Sequence, residues 1–411
     1  MKTRIFLTAA LMLCSLSGCG GTASQSPAEH TEGSSAPETV TAETSLFDKY
    51  VSNTFISTGC NQVVHAPEGM SYRAYLPVEA AGEFEYCFYF SNAVDSTWGN
   101  GKDAHVGQAG SAYQINSAFI GYAAEPEGEV QQETPVTFEG AAQRTVTPEE
   151  TFWSDPVQFN VPEGNYLVWT WTVTGETIPA NEMSGLAPVY YDNNGNYIYT
   201  GQIPLPQLIG CDRAVERKVA FIGDSITQGC GTSQYGNAFW VADIAKEISD
   251  TASVWNLGLG YARASDCMQN GDWLQRATHA DVVFVAFGTN DMVSGQYGVG
   301  APNAASAIDI WLKDIAGVLK DAGCEVILFN APPFDFAELQ EGFRTELNTM
   351  VPGSAQECGV RFFDFAGILE DPANPQHALY GGHPDDEGCA AAARAILAEY
   401  GTLLRKAEGA A

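Results

Sequence analysis

From Val215 onward, five short apolar runs alternate with stretches of helical periodicity, and this alternation limits the fold more than any other feature of the chain. Lys218–Ile222, Ser253–Asn256, Asp281–Phe287, Glu325–Phe329 and Val360–Asp364 have the length of strands, not of buried helices. Ala238–Ile248, Ala305–Leu319 and Glu387–Leu404 read as helices. In the last of them, Ala390, Ala393, Ile396, Leu397 and Tyr400 are spaced for one face. Strands apolar on both faces and separated by helices imply a parallel sheet covered on both sides.

The preceding part reads differently. Phe84, Tyr86, Phe88 and Phe90 alternate with Glu85, Cys87 and Tyr89, a period of two. Tyr166–Val173 is rich in aromatic and β-branched residues and reads as another strand. Asn194-Gly195 lies between Val189–Tyr191 and Tyr197–Tyr199, the signature of a hairpin with a type I′ turn. Asp192–Asn196 has a faint calcium-loop pattern but lacks a distal Glu, so the turn is the expected role. Many short strands with Gly, Pro and Asn punctuation predict an all-β sandwich over 47–212, followed by the α/β domain over 213–411. A chain of 411 residues is long enough for two such cores.

Four places after predicted strands have the residue types that acyl transfer requires: a nucleophile, a base and donors for a developing oxyanion. Gly223-Asp224-Ser225-Ile226-Thr227-Gln228-Gly229 follows the first strand. Glycine permits a sharp strand-to-helix turn, and Ser225 then lies at or near a helix N-terminus; its plainer reading is a helix cap. Asn256-Leu257-Gly258-Leu259-Gly260-Tyr261 follows the second strand and could bring a backbone N–H close to a substrate, or be only a tight loop. Gly288-Thr289-Asn290-Asp291 follows the third, and the Asn290 amide could aim at an oxyanion or cap a turn. Gly381-Gly382-His383-Pro384 sits just before the last helix and holds one of only six histidines.

These four blocks, in this order over about 215–407, resemble the SGNH (GDSL-like) hydrolase family. The resemblance implies a flavodoxin-like α/β sheet and a serine esterase. In that reading Ser225 attacks, His383 takes its proton, and the oxyanion rests on the N–H of Ser225, a loop glycine N–H and Asn290. Two positions depart from the family pattern. The residue three before the histidine, usually Asp, is Tyr380. The expectation is a Ser–His dyad, with Asp385, Asp386 or Asp371 as alternative orienting acids. The family glycine, five residues after the loop asparagine, is Tyr261 here, so Gly260 is the preferred donor, with Gly258 or the N–H of Tyr261 itself as alternatives. Phe138-Glu139-Gly140 and Ser154-Asp155-Pro156-Val157 weakly resemble the jelly-roll-like sandwich that precedes this domain in some secreted bacterial carbohydrate acetylesterases. Its aromatics would suit sugar rings or simply fill a core.

Residues 1–19 read as a targeting segment: Lys2 and Arg4, an apolar run from Ile5 to Leu13, then Leu16-Ser17-Gly18-Cys19. The run is shorter than the about 20 residues of a spanning helix. The last four residues resemble the lipobox of bacterial lipoproteins, which implies a lipid on Cys19 and a location on the outer face of the membrane. Residues 20–46 are rich in Ser, Thr, Ala, Glu and Pro and read as a disordered tether. The formal net charge is −31, with 19 Lys and Arg against 50 Asp and Glu. Such a field repels phosphate backbones, so nucleic acid is excluded as a partner and a small-molecule or polysaccharide ester is expected. Ten cysteines form no CxxC pair or Cys/His cluster, so no metal or other cofactor is implied.

Three functions fit. They are an acetylesterase acting on carbohydrate O-acetyl groups, a lipolytic or arylesterase-type hydrolase of longer acyl esters, and a non-catalytic surface-binding protein.

Overall fold

The computed structural model describes residues 45–96, 109–183, 185–268, 271–293 and 302–405, which leaves the targeting segment, Cys19 and nearly all of the tether outside the described residues. The described residues belong to one compact unit. Its first half is built of two antiparallel sheets. The larger runs Asn196–Tyr199, Val189–Asn193, Gln62–Pro77, Tyr166–Glu182, Tyr113–Ala123, Gln131–Pro135. The smaller runs Val51–Ser52, Leu208–Cys211, Gly82–Ser91, Thr151–Trp153, with Val157–Val161 also paired to Gly82–Ser91.

The period-two aromatic strand supplies the core between them. Tyr86, Phe88 and Phe90 are fully buried, and Phe88 meets Trp169 with ring centroids 4.8 Å apart. Burying a ring of this size stabilises by roughly 1.5–3 kcal/mol over leaving it in water. These aromatics, and Trp171 beside them, are core and not a surface for sugars. The opposite face of the same strand looks toward the second half: Tyr89 Oη donates to Asp272 Oδ1 at 2.5 Å.

Two expected turns have local causes. Asn194 and Gly195 take φ of 55° and 86°, and the Gly195 N–H donates to Asp192 Oδ1 at 2.6 Å. The acidic residue of the faint calcium pattern therefore closes a hairpin. The segments around Phe138 and Ser154 form one feature, because Asp155 accepts from Thr137 Oγ1 at 2.6 Å and from the Gly140 N–H at 2.7 Å.

The second half is a five-stranded parallel sheet in the spatial order Ala252–Gly258, Arg217–Gly223, Val282–Ala286, Glu325–Phe329, Arg361–Phe363. In chain order this is 2-1-3-4-5, the flavodoxin-like arrangement. Alternate residues of Arg217–Gly223 serve opposite layers. Val219 and Phe221 join the cluster that holds helices Trp240–Ile248 and Asp386–Arg405. Ala220 and Ile222 join the one that holds helices Asp272–Ala277, Ala305–Asp321 and Glu338–Cys358. The same cluster that fills the sandwich continues into this sheet's first layer, so one continuous core serves both halves. None of the eight cysteines among the described residues is in a disulfide, and six of them are buried.

Candidate active site

At the end of the strand Arg217–Gly223 the chain turns into the short helix Ser225–Gln228. Only glycine fits at 223, since a Cβ there would lie 2.2 Å from Thr227 Oγ1 and 2.6 Å from the Ala286 carbonyl oxygen. The cap of this helix is Asp224, whose Oδ1 accepts from the Ile226 N–H at 2.9 Å. Ser225 is thereby released from capping, and its Oγ lies 2.8 Å from Nε2 of His383. Gly231, at φ 99°, lets the following loop pass against the histidine; a Cβ at 231 would be 2.6 Å from His383 Cβ.

His383 is reached through Gly381, at φ 85°, and Gly382, where a Cβ would press on the Phe334 ring at 2.9 Å. The Phe334 ring meets the imidazole edge-on, with centroids 5.2 Å apart. Burial lowers the His383 pKa below the ordinary 6.5, so the imidazole is neutral near pH 7. A neutral Nε2 facing a hydroxyl can accept its proton.

The alternative orienting acids are all engaged elsewhere. Asp385 Oδ1 accepts from the Gly388 N–H at 3.0 Å and so caps the last helix. Asp386 accepts from the Ser233 N–H at 2.7 Å and from Ser233 Oγ at 2.5 Å. Asp371 holds the Ala373 N–H at 2.8 Å. Tyr380 packs where Gly388 gives it room, a Cβ there falling 2.6 Å from Tyr380 Cβ. Among the described residues the His383 imidazole has a single hydrogen-bond partner, Ser225.

Ser225, His383, Gly260, Tyr261 and Asn290 line one cleft of about 380 Å³. The two loops that follow the neighbouring strands bring the last three there. Asn290 is fixed by donating Nδ2–H to the Ala262 carbonyl at 3.0 Å. Gly258 packs on the serine helix, where a Cβ would fall 2.3 Å from the Gln228 nitrogen; it does not line the cleft. The family glycine position, Tyr261, takes φ 63°, the left-handed conformation glycine adopts freely. Gly260 precedes it and is held by its carbonyl, which accepts from Asn61 Nδ2 at 3.1 Å. Asn61 is fully buried and belongs to the β half.

Two further carboxyls sit under the site. Burial pushes Asp224 up to about 7, with the nearby charge of Asp291 adding to the shift. Burial also pushes Asp291 up to about 7, against the hydrogen bond from the Ala264 N–H at 2.8 Å. The sequence did not point to Glu182 or Phe334 as cleft residues. Glu182 ends a strand of the β half and carries no motif, so only the tertiary fold brings it to Ser225. No group of three or more His, Cys, Asp and Glu able to hold a metal occurs among the described residues.

Residues 221–391 match the model of the GDSL-like Lipase/Acylhydrolase family. No curated protein matches the chain. Among solved structures, the chain is similar to a protein described as a putative lipolytic protein of the G-D-S-L family from Desulfitobacterium hafniense DCB-2. That match has 22% identity over 44% of this chain and 97% of that one, at a TM-score of 0.37. It is also similar to a catalytic mutant of an acetylxylan esterase from Geobacillus stearothermophilus, with 19% identity over 48% of this chain and 99% of that one, at a TM-score of 0.37.

Proposed function

Residues 221–391 are a GDSL-like lipase/acylhydrolase domain, and from its geometry we propose that the protein is a serine esterase that removes acetyl groups from carbohydrates. The observation that carries this reading is the 2.8 Å approach of Ser225 Oγ to a neutral His383 Nε2 inside a cleft. In the first step His383 Nε2 takes the hydroxyl proton while Ser225 Oγ bonds to the ester carbonyl carbon. The oxyanion is received by the N–H of Ser225, the N–H of Gly260 and the Asn290 side-chain amide. The imidazolium then gives its proton to the departing alcohol oxygen. Water, deprotonated by the same imidazole, releases the acid and restores Ser225.

Polar lining and acidity support the substrate class. Glu182 and Asn290 face the cleft and favour an alcohol rich in hydroxyls over a long acyl chain. The net charge of −31 disfavours a strongly anionic polymer. The expected result is acetate release from acetylated xylan, measured enzymatically. A preference for nitrophenyl esters of eight carbons or more would move the assignment to longer acyl chains. Failure of a fluorophosphonate probe to label Ser225 would move it to a binding protein.

The protein works on the outer face of a bacterial membrane, held by lipid on Cys19 through the tether. The lipobox-like Leu16–Cys19 and the polar segment after it support this. Cys19→Ala is expected to shift the protein out of the membrane fraction; an unchanged distribution on fractionation would end the anchoring proposal.

A further inference from the structure

We infer that Glu182 and Tyr261 form a subsite for the alcohol portion of the substrate, taking a ring that is apolar on one face and bears hydroxyls on its edge. The inference rests on the carbohydrate reading above and deepens it.

Among the described residues Glu182 is the only carboxylate that lines the cleft, and its backbone is held at both ends. Its N–H donates to Asn61 Oδ1 at 3.0 Å. Its carbonyl accepts from Gln228 Nε2 at 2.8 Å, and Gln228 belongs to the helix of Ser225. The carboxylate is thus tied, through its own backbone, to the nucleophile's helix. One of its oxygens, Oε2, accepts from Gln62 Nε2 at 2.9 Å. The other accepts no hydrogen bond from the described residues. Burial raises the pKa of the group, as it does for a carboxylate drawn partly out of water. A half-buried acceptor at a cleft wall is completed by a donor from whatever fills the cleft.

Tyr261 lies on the same cleft with 37% of its surface exposed. At φ 63° a side chain costs about 1–2 kcal/mol that glycine would avoid. Strain of this kind gathers at ligand clamps, and here it falls on an aromatic residue that lines the same cleft as Ser225 and His383. An acetyl group has no donor to offer Glu182. The hydroxyls must therefore come from the alcohol, whose apolar ring face can lie on Tyr261. The cleft's about 380 Å³ is within the range of sites that bind small molecules.

The test compares a monoacetylated methyl xyloside with cyclohexyl acetate, a ring ester without hydroxyls, and uses nitrophenyl acetate to check catalytic competence. Glu182→Gln keeps the bond to Gln62 through its amide oxygen and turns an NH2 toward the cleft, replacing an acceptor by a donor. Tyr261→Gly removes the ring in a conformation glycine accepts. Each is expected to raise KM for the xyloside about tenfold, as for loss of one charge-assisted hydrogen bond at Glu182 or one ring contact at Tyr261. The kcat for the xyloside, the kinetics on nitrophenyl acetate and their pH profile should stay unchanged. If wild type prefers the xyloside and both variants keep that preference, the subsite fails while the carbohydrate reading stands. If wild type shows no such preference, the carbohydrate reading falls and the subsite with it. A drop in kcat on every ester, with a displaced pH profile, would make Glu182 a group acting on His383 and would overturn the recognition role.

Discussion

Ser225→Ala is expected to lose about 10⁴–10⁶-fold in kcat on acetyl esters, the range seen when a nucleophile is deleted from a serine hydrolase. Its fold should be untouched, for a local reason. The helix is capped by Asp224, not by Ser225, and the Ser225 carbonyl continues to accept from the N–H groups of Gly229 and Cys230, each at 3.0 Å. Thermal midpoints of the two proteins should therefore coincide while turnover of nitrophenyl acetate vanishes. The base supplies an independent readout. As the proposed base, His383 would act only when neutral, and burial lowers its pKa, so kcat/KM of wild type should rise with pH through an apparent pKa below 6.5. Appreciable turnover by purified Ser225→Ala would place the nucleophile elsewhere and sink the serine mechanism.

The parallel sheet was legible because its strands are apolar on both faces, and the hairpin at Asn194-Gly195 because only a few residues accept two successive positive φ values. The helix Glu338–Cys358 went unread. It holds Pro352 internally and Gly342 and Gly353, and such residues are marks of helix ends, not interiors. Its place is set by burying Leu347, Val351 and Ala355 against the sheet, which is a tertiary cause. At the site, short blocks named Ser225, Asn290 and His383 because glycines mark the turns that carry them. The Asp385 partner is a cap three residues on, which spacing could suggest, but Asp386 meets Ser233 from far along the chain, and spacing does not encode that. Tyr261 itself takes the left-handed backbone that glycine adopts freely, a conformation that the residue type alone does not announce. Glu182 was invisible because it reaches Ser225 through the packing of one half on the other.

That packing includes a buried ion pair, and Asp95→Ala is expected to cost about 3–5 kcal/mol of stability. Asp95, from the β half, and Arg276, from the helix Asp272–Ala277, meet at 2.6 Å with 1% of each side chain exposed. Burial lowers the Arg276 pKa, but the charges of Asp95 and Asp272 outweigh it and push it above the ordinary value. Removing Asp95 leaves a buried cation whose one remaining carboxylate among the described residues is Asp272, at 3.7 Å. It also strips the Cys60 N–H of its acceptor, now at 2.8 Å. Urea titration should show a lowered midpoint, and Asp95→Ala combined with Arg276→Met should recover part of the loss, because a well-packed apolar pair replaces a charge without a counter-ion. The effect should reach catalysis as well. Cys60 is followed by Asn61, which holds both the Gly260 carbonyl and the Glu182 N–H, so loosening this junction frees the cleft's wall and its loop together. A variant that lost less than about 1 kcal/mol and kept full activity would show that this pair does not hold the junction, since a surface ion pair contributes no more than that.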